Sequence, residues 1–175
     1  DAYEYRELDK EYLDTSVAKG QQMIQGMSST IDDFRNFFRP NKVKQRFRAC
    51  DSVEEAIKLV SHGFQNSHID IEVEKFGAGC DVMGYPNEFA QVVLNALSNA
   101  RESILGKTLC GKVLIRVSVD ADAATVSIRD NGGGIPDEIL GKVFDPYFTT
   151  KEKGTGIGLY MSKMIMDHMD GELAI

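Results

Sequence analysis

Positive charge is in short supply: 20 Lys and Arg against 27 Asp and Glu leave a formal net charge of −7. A nucleic-acid backbone selects clustered cations, so nucleic acid is excluded as the main partner. No apolar run approaches the roughly 20 residues that span a bilayer, and no signal-peptide pattern opens the chain. Membrane attachment would therefore belong to parts of a parent protein beyond this sequence. Cysteine is scarce as well. Cys50, Cys80 and Cys110 lie far apart, are odd in number and lack zinc-ligand spacing, which predicts reduced thiols in a cytosolic setting. There is no internal repeat and no low-complexity tract. Both standard nucleotide loops are missing. Gly106-Lys107-Thr108 resembles the end of a Walker A loop, but Arg101 stands where its earlier glycine belongs. The glycine run at 154–158 lacks GxGxxG spacing, and no strand runs straight into it.

What is present suits a soluble globular chain of one domain plus an appendage: 175 residues, 42% hydrophobic and 27% charged. The start at Asp1, without Met, reads as an excised fragment. From Leu13 apolar or small residues recur at steps of four and three: Leu13, Val17, Gly20, Ile24, Met27, Ile31, Phe34 and Phe38. That seam predicts a helix over Asp9–Phe38, with one side packed as in a coiled coil or bundle. Pro40 stops it, because a proline pushes the preceding residue out of helical geometry. The apolar seam either folds back on the same chain or meets a partner helix, through self-association or otherwise.

Beyond a basic linker, residues 41–175 alternate strand and helix signals. A short strand is expected at Arg46–Ala49. Ser52 and Glu55 form a capping box ahead of Val53, Ala56, Ile57 and Val60, predicting a helix that ends near Gly63. Ile69–Phe76 alternates with period two, the mark of a half-buried strand. Val82–Met83 suggests another strand. Asn87–Ile104 is helical, with Phe89, Val93, Ala96, Ala100 and Ile104 on one face. Val113–Asp120 and Thr125–Arg129 form an antiparallel hairpin, Pro136–Gly141 opens a short helix, and Gly158–Met169 is a long one stopped by Gly171. Leu173–Ile175 has strand character. The fold class is α+β, a two-layer sandwich in which one mixed sheet is covered by helices, preceded by the long N-terminal helix.

Three stretches carry the chemistry. On the Asn87–Ile104 helix, Gln91, Asn95, Asn99 and Glu102 make a polar stripe, and the amides of Asn95 and Asn99 project side by side, four residues apart. Asparagine is a poor helix former. The pair is therefore either a solvated stripe or a set of neutral oxygens for Mg²⁺, a cation that takes hard oxygen ligands. Asp130 heads Asp-Asn-Gly-Gly-Gly directly after a strand. Its carboxylate can accept a hydrogen bond from an exocyclic amine while Gly132 and Gly134 let the chain bend beneath a planar ligand; a plain hairpin exit explains the same residues. Finally, Gly154-Thr155-Gly156-Ile157-Gly158-Leu159 opens a helix whose first N–H groups suit an anion.

Taken in order, Asn95-Ala96-Leu97-Ser98-Asn99-Ala100, Asp130-Asn131-Gly132-Gly133-Gly134-Ile135, Phe144-Asp145-Pro146-Tyr147-Phe148-Thr149-Thr150-Lys151 and Gly154–Leu159 resemble the four boxes of the ATP-binding domain of sensor histidine kinases. The arm, through Thr30–Phe38, resembles the second helix of that family's dimerisation hairpin. The resemblance covers nearly the whole chain. It implies residues 1–40 as part of that hairpin and 41–175 as the catalytic domain, apparently short of its last strands. It implies ATP and Mg²⁺ as ligands, with Asn99 on the metal, Asn95 beside it, and Ser103 among the ATP-binding residues. Asp130, Gly132, Gly134 and Ile135 would hold adenine. Phe148, Thr149 and Thr150 would belong to the hinge of a lid in which Lys151, Gly154, Thr155, Gly156, Ile157, Gly158 and Leu159 close over the phosphates. The implied activity passes the γ-phosphate to a histidine, with a homodimer formed through the hairpin and a response-regulator receiver domain as partners.

The sequence departs from that family in three ways. Glu102 stands where many members carry a phosphate-gripping basic residue, which shifts that contact to Lys151 or Lys153. None of His62, His68 and His168 has the context of a phosphoacceptor, so the fragment is expected to bind Mg–ATP without phosphorylating itself. The third departure is the early end at Ile175. Two other readings keep the fold: an ATP-hydrolysing clamp of the gyrase or mismatch-repair type, which usually has a glutamate where Asn95 stands, and a degenerate nucleotide-binding module.

Overall fold

The computed structural model describes residues 10, 12–21, 24, 43–76, 79–105, 107, 110–120, 123–151 and 154–175. The chain divides into two compact units, Asp1–Pro40 and Asn41–Ile175. In the first, residues 12–21 are helical (α1) and exposed throughout. Leu13, Val17 and Ile24 of the expected apolar seam are among the exposed large hydrophobics. Met27, Ile31, Phe34, Phe38 and the stop at Pro40 lie outside the described residues.

The second unit runs β1 (Gln45–Arg48), α2 (Ala49–Asn66), β2 (Ile69–Phe76), β3 (Asp81–Gly84), α3 (Pro86–Ile104), β4 (Gly111–Val119), β5 (Ala124–Asp130), α4 (Asp137–Leu140) and α5 (Gly158–His168). Its main sheet has the order β2-β4-β5. β2 runs parallel to β4, with Ile69 opposite Gly111, and β5 returns antiparallel, with Val113 opposite Asp130. A mixed sheet of this kind was expected as the only one. Among the described residues β1 and β3 instead pair separately as an antiparallel ribbon, Gln45 opposite Gly84. No strand forms at Leu173–Ile175.

Alternation along β4 sends Val113, Ile115 and Val117 inward, each at most 1% exposed. They pack with Phe89, Val93, Leu97, Ala100 and Ile104 of α3 and with Ala49, Val53, Ala56 and Phe64 of α2. Leu97, fully buried, takes the central place on α3 that periodicity assigned to Ala96, which is only half-buried. Helical steps of four and three leave both residues near the seam, and the larger side chain fills it.

Three further expectations are corrected. Ser52 is not a cap: Arg48, four residues earlier, holds the N-cap position without a side-chain capping bond, and Ser52 is buried inside the helix. The Ala49 N–H instead donates to the Cys80 carbonyl at 2.8 Å, so tertiary anchoring sets the helix start. The thiols also differ from the expectation of reduced cysteines. Cys50 and Cys80 form a disulfide, with Cα atoms 6.0 Å apart across a sequence separation of 30. Pairing of Arg48 with Asp81 is what brings them together. Past the C-cap Met169 of α5 the left-handed residue is Asp170, with φ of 60°, rather than the expected Gly171, whose N–H donates to the Met166 carbonyl at 2.8 Å.

Candidate functional site

The polar stripe of α3 faces the loops that follow β5. Burial of Val93, Leu97, Ala100 and Ile104 on the opposite side fixes the helix rotation, so Asn95 and Asn99 lie half-buried at the edge of the core while Glu102 is exposed. At the C-terminal end of the helix, Ser103 meets the loop after β5. A Cβ placed on Gly132 would fall 2.5 Å from the Ser103 carbonyl carbon and 2.6 Å from its oxygen. Only glycine permits so close an approach of two backbones.

That loop is built by its own side chains. The Gly132 N–H donates to Asp130 Oδ1 at 2.7 Å, a local Asx turn that leaves the second carboxylate oxygen for a ligand. Asn131, which sequence reasoning passed over, continues the sheet with its side chain. Its Oδ1 accepts from the Lys112 N–H at 2.8 Å and its Nδ2 donates to the Cys110 carbonyl at 2.9 Å. An Asn directly after a strand, opposite the start of its partner, is the one signal that could have found it. Gly134 and Ile135 follow, both exposed.

The third segment reaches α3 from the other side. Lys151 Nζ donates to Asn99 Oδ1 at 2.7 Å and is ion-paired with Glu102. The lysine and the asparagine, 52 residues apart, are thus brought into direct contact, and a positive charge rests on the oxygen expected to face Mg²⁺. The Lys151 N–H donates to Thr149 Oγ1 at 3.1 Å, and Thr150 is exposed beside it. The Tyr147 N–H donates to the Gly156 carbonyl at 2.9 Å, tying this segment to the second glycine cluster. Gly156 has φ of 68°, and a Cβ there would fall 2.6 Å from the Tyr147 carbonyl oxygen. Phe148, Gly154, Ile157, Gly158 and Leu159 are half-buried, and Thr155 is exposed. Lys153 lies outside the described residues.

Asn95 serves a different purpose from its neighbour. Its Nδ2 donates to the Gly158 carbonyl at 3.3 Å and to Ser162 Oγ at 3.2 Å, and the Ser162 hydroxyl donates to the same carbonyl at 2.9 Å. Asn95 therefore fastens the start of α5 to α3. Ser162, 1% exposed, was missed because a serine in a helix carries no local signal of this bond. The histidines stay away from this chemistry: His168 stacks on Tyr85 with ring centroids 5.1 Å apart, and His62 and His68 are exposed.

The second unit is thus an α+β domain with an oxygen-lined, glycine-looped edge. Residues 84–175 match the family described as histidine kinase-, DNA gyrase B-, and HSP90-like ATPase, and the chain belongs to that family. Its relatives place it in the histidine-kinase branch, as an ATP-binding catalytic domain. It is 30% identical over 170 residues to the signal transduction histidine-protein kinase AtoS of Escherichia coli (strain K12), covering 96% of this chain and 27% of that protein. It is 29% identical over 175 residues to the two-component sensor PprA of Pseudomonas aeruginosa, covering 95% of this chain and 19% of that protein. The chain thus spans about a fifth to a quarter of these relatives. Among solved structures, the nucleotide-free catalytic domain of histidine kinase ThkA superposes with a TM-score of 0.64 at 26% identity, over 73% of this chain and 82% of that one.

Proposed function

We propose that the unit Asn41–Ile175 binds Mg–ATP and, within a longer sensor kinase, passes the γ-phosphoryl group to a histidine outside this sequence. The β–γ bridging oxygen would leave with ADP as the phosphoryl group moves to an imidazole nitrogen. A response-regulator receiver domain would then take it. Residues 1–40 are read as the second helix of the dimerisation hairpin, which makes a homodimer of the parent, and the apolar seam from Leu13 to Phe38 supports that reading.

Roles follow from chemistry. Asp130 accepts a hydrogen bond from the adenine amine through the carboxylate oxygen not used by the Gly132 N–H. The buried Gly132, with Gly134 and Ile135, shapes the floor under the base. The loop from Gly154 to Leu159 offers the first N–H groups of α5 to phosphate oxygens. Mg²⁺, held by Asn99, would neutralise phosphate charge when bound. The residues suit it: Asn99 presents a hard, neutral oxygen that already accepts a cationic donor. Thr149, Thr150 and Lys151 lie on the segment next to that oxygen and would cover the phosphates.

The observation that carries this reading is the contact of Lys151 with Asn99, which joins the phosphate-facing loop to the metal-facing helix. Titration calorimetry tests it. ATP should bind in the presence of Mg²⁺, and Asp130→Asn should weaken ATP binding by about tenfold or more, the loss of a charged hydrogen bond worth roughly 1.5–3 kcal/mol. No heat of binding with Mg–ATP would sink the proposal. Incubation with γ-labelled ATP should leave the chain unlabelled and should label an added hairpin that carries the acceptor histidine.

A further inference from the structure

Glu102 is an acidic residue at the phosphate end of a site proposed for a polyanion, where simple electrostatics predicts repulsion. Its surroundings explain it. Glu102 lies three residues after Asn99 on α3, so both side chains share one helical face. Lys151 bridges them, donating to Asn99 Oδ1 at 2.7 Å while paired with the Glu102 carboxylate. Arg101, the basic residue of α3, is turned away and donates to Ser67 Oγ at 2.9 and 3.1 Å. Helix α3 therefore brings no cation of its own to this face. The Glu102 side chain is 45% exposed and that of Lys151 43%. A pair so open to water is weak enough to rearrange and still biases where the ammonium goes.

Resting on the reading of this pocket as a Mg–ATP site, we infer that Glu102 is a positioning residue for Lys151. When Mg–nucleotide enters, the Asn99 oxygen exchanges the ammonium for the metal. Glu102 retains the ammonium through that exchange, and Lys151 then trades the amide oxygen for a phosphate oxygen. The carboxylate on the rigid helix thus replaces a helix-borne cation with one borrowed from the loop. The scheme has a sign built into it. With Lys151 present Glu102 assists polyphosphate binding; without Lys151 the same carboxylate is bare and repels it.

The test is a double-mutant cycle on the full chain, read by calorimetric Kd for Mg–ATP and for adenosine, with melting temperature as a folding control. Glu102→Gln should weaken Mg–ATP about threefold, and Lys151→Gln about fivefold, as suits an exposed ion pair. In the Lys151→Gln background, Glu102→Gln should instead tighten Mg–ATP about twofold. Adenosine binding should stay unchanged throughout. Tighter or unchanged Mg–ATP binding by Glu102→Gln alone would overturn the inference. So would equal weakening in both backgrounds, or a parallel loss for adenosine, which would make the residue structural only. Failure of the unsubstituted chain to bind Mg–ATP would overturn the pocket reading and this inference together.

Discussion

Gly132→Ala tests a close backbone approach in the candidate site. The added methyl would meet Ser103 Oγ and, more importantly, would lie 2.5 Å from the Ser103 carbonyl carbon and 2.6 Å from its oxygen. Those separations are roughly an ångström inside ordinary van der Waals contact. A flexible side chain could swing aside, but these atoms belong to the last turn of α3, whose neighbour Ile104 is 2% exposed. Overpacking against an immobile target costs about 1–3 kcal/mol. For a unit the size of Asn41–Ile175, about 2 kcal/mol lowers the melting temperature by roughly 7 °C. If Gly132 forms the floor of the base pocket, as proposed, ATP affinity should fall about tenfold. Two companions sharpen the test. Ser103→Ala/Gly132→Ala should recover little, since the obstruction is mostly main chain. Gly141→Ala should be harmless, because nothing lies within 4 Å of its Cβ position and its φ is −67°. Differential scanning calorimetry and titration calorimetry read both quantities. A Gly132→Ala variant with unaltered melting temperature and ATP affinity would refute the steric argument.

Three other outcomes are expected. Asn95→Asp removes the amide donor shared by Gly158 and Ser162, so amide hydrogen exchange in the first turn of α5 should accelerate, by an amount matching about 1–2 kcal/mol; unchanged protection would dismiss the fastening role. Reduction of Cys50–Cys80 opens a loop of sequence separation 30 and should cost about 3.5 kcal/mol, roughly 12 °C in melting temperature; thiol titration should find one reactive cysteine before reduction and three after, and an unaltered melting curve would contradict the staple. In acid, hydrogen bonds from Lys75 to Glu54 and from Lys44 to Asp170 hold both carboxyls below their ordinary values. Their stabilisation is present above the unfolded-state carboxylate range and is lost as pH falls through the lowered folded-state values, so Lys75→Met and Lys44→Met should flatten the fall in melting temperature below about pH 4; parallel acid limbs would count against it.

Periodicity exposed the elements whose burial is decided one residue at a time. The β4–β5 hairpin, the long β2 strand and helices α3 and α5 were legible because alternating or helical spacing is a direct imprint of one buried face. Features set by contact between distant segments were not. The Ser52–Glu55 box matched a local rule, yet the Cys80 carbonyl captured the Ala49 N–H and started α2 early. Likewise, Cys50 and Cys80 look unrelated until β1 pairs with β3. In the candidate site the residue types were readable and their partners were not: spacing put Asn95 and Asn99 side by side, but only folding separates the one that ties down α5 from the one that meets Lys151.

Asn131 and Gly132 bear on the chemical ageing of the chain. An Asn-Gly step is prone to lose its side-chain amide when the following backbone nitrogen attacks the side-chain carbonyl. Here the Gly132 nitrogen is committed to Asp130 Oδ1, and the Asn131 amide is clamped between the Lys112 N–H and the Cys110 carbonyl. The attack geometry is available only after the end of β5 unravels. The bonds that shape the loop after β5 therefore also act as a preservative, and the lifetime of this dipeptide in storage becomes a slow reporter of how often that loop opens.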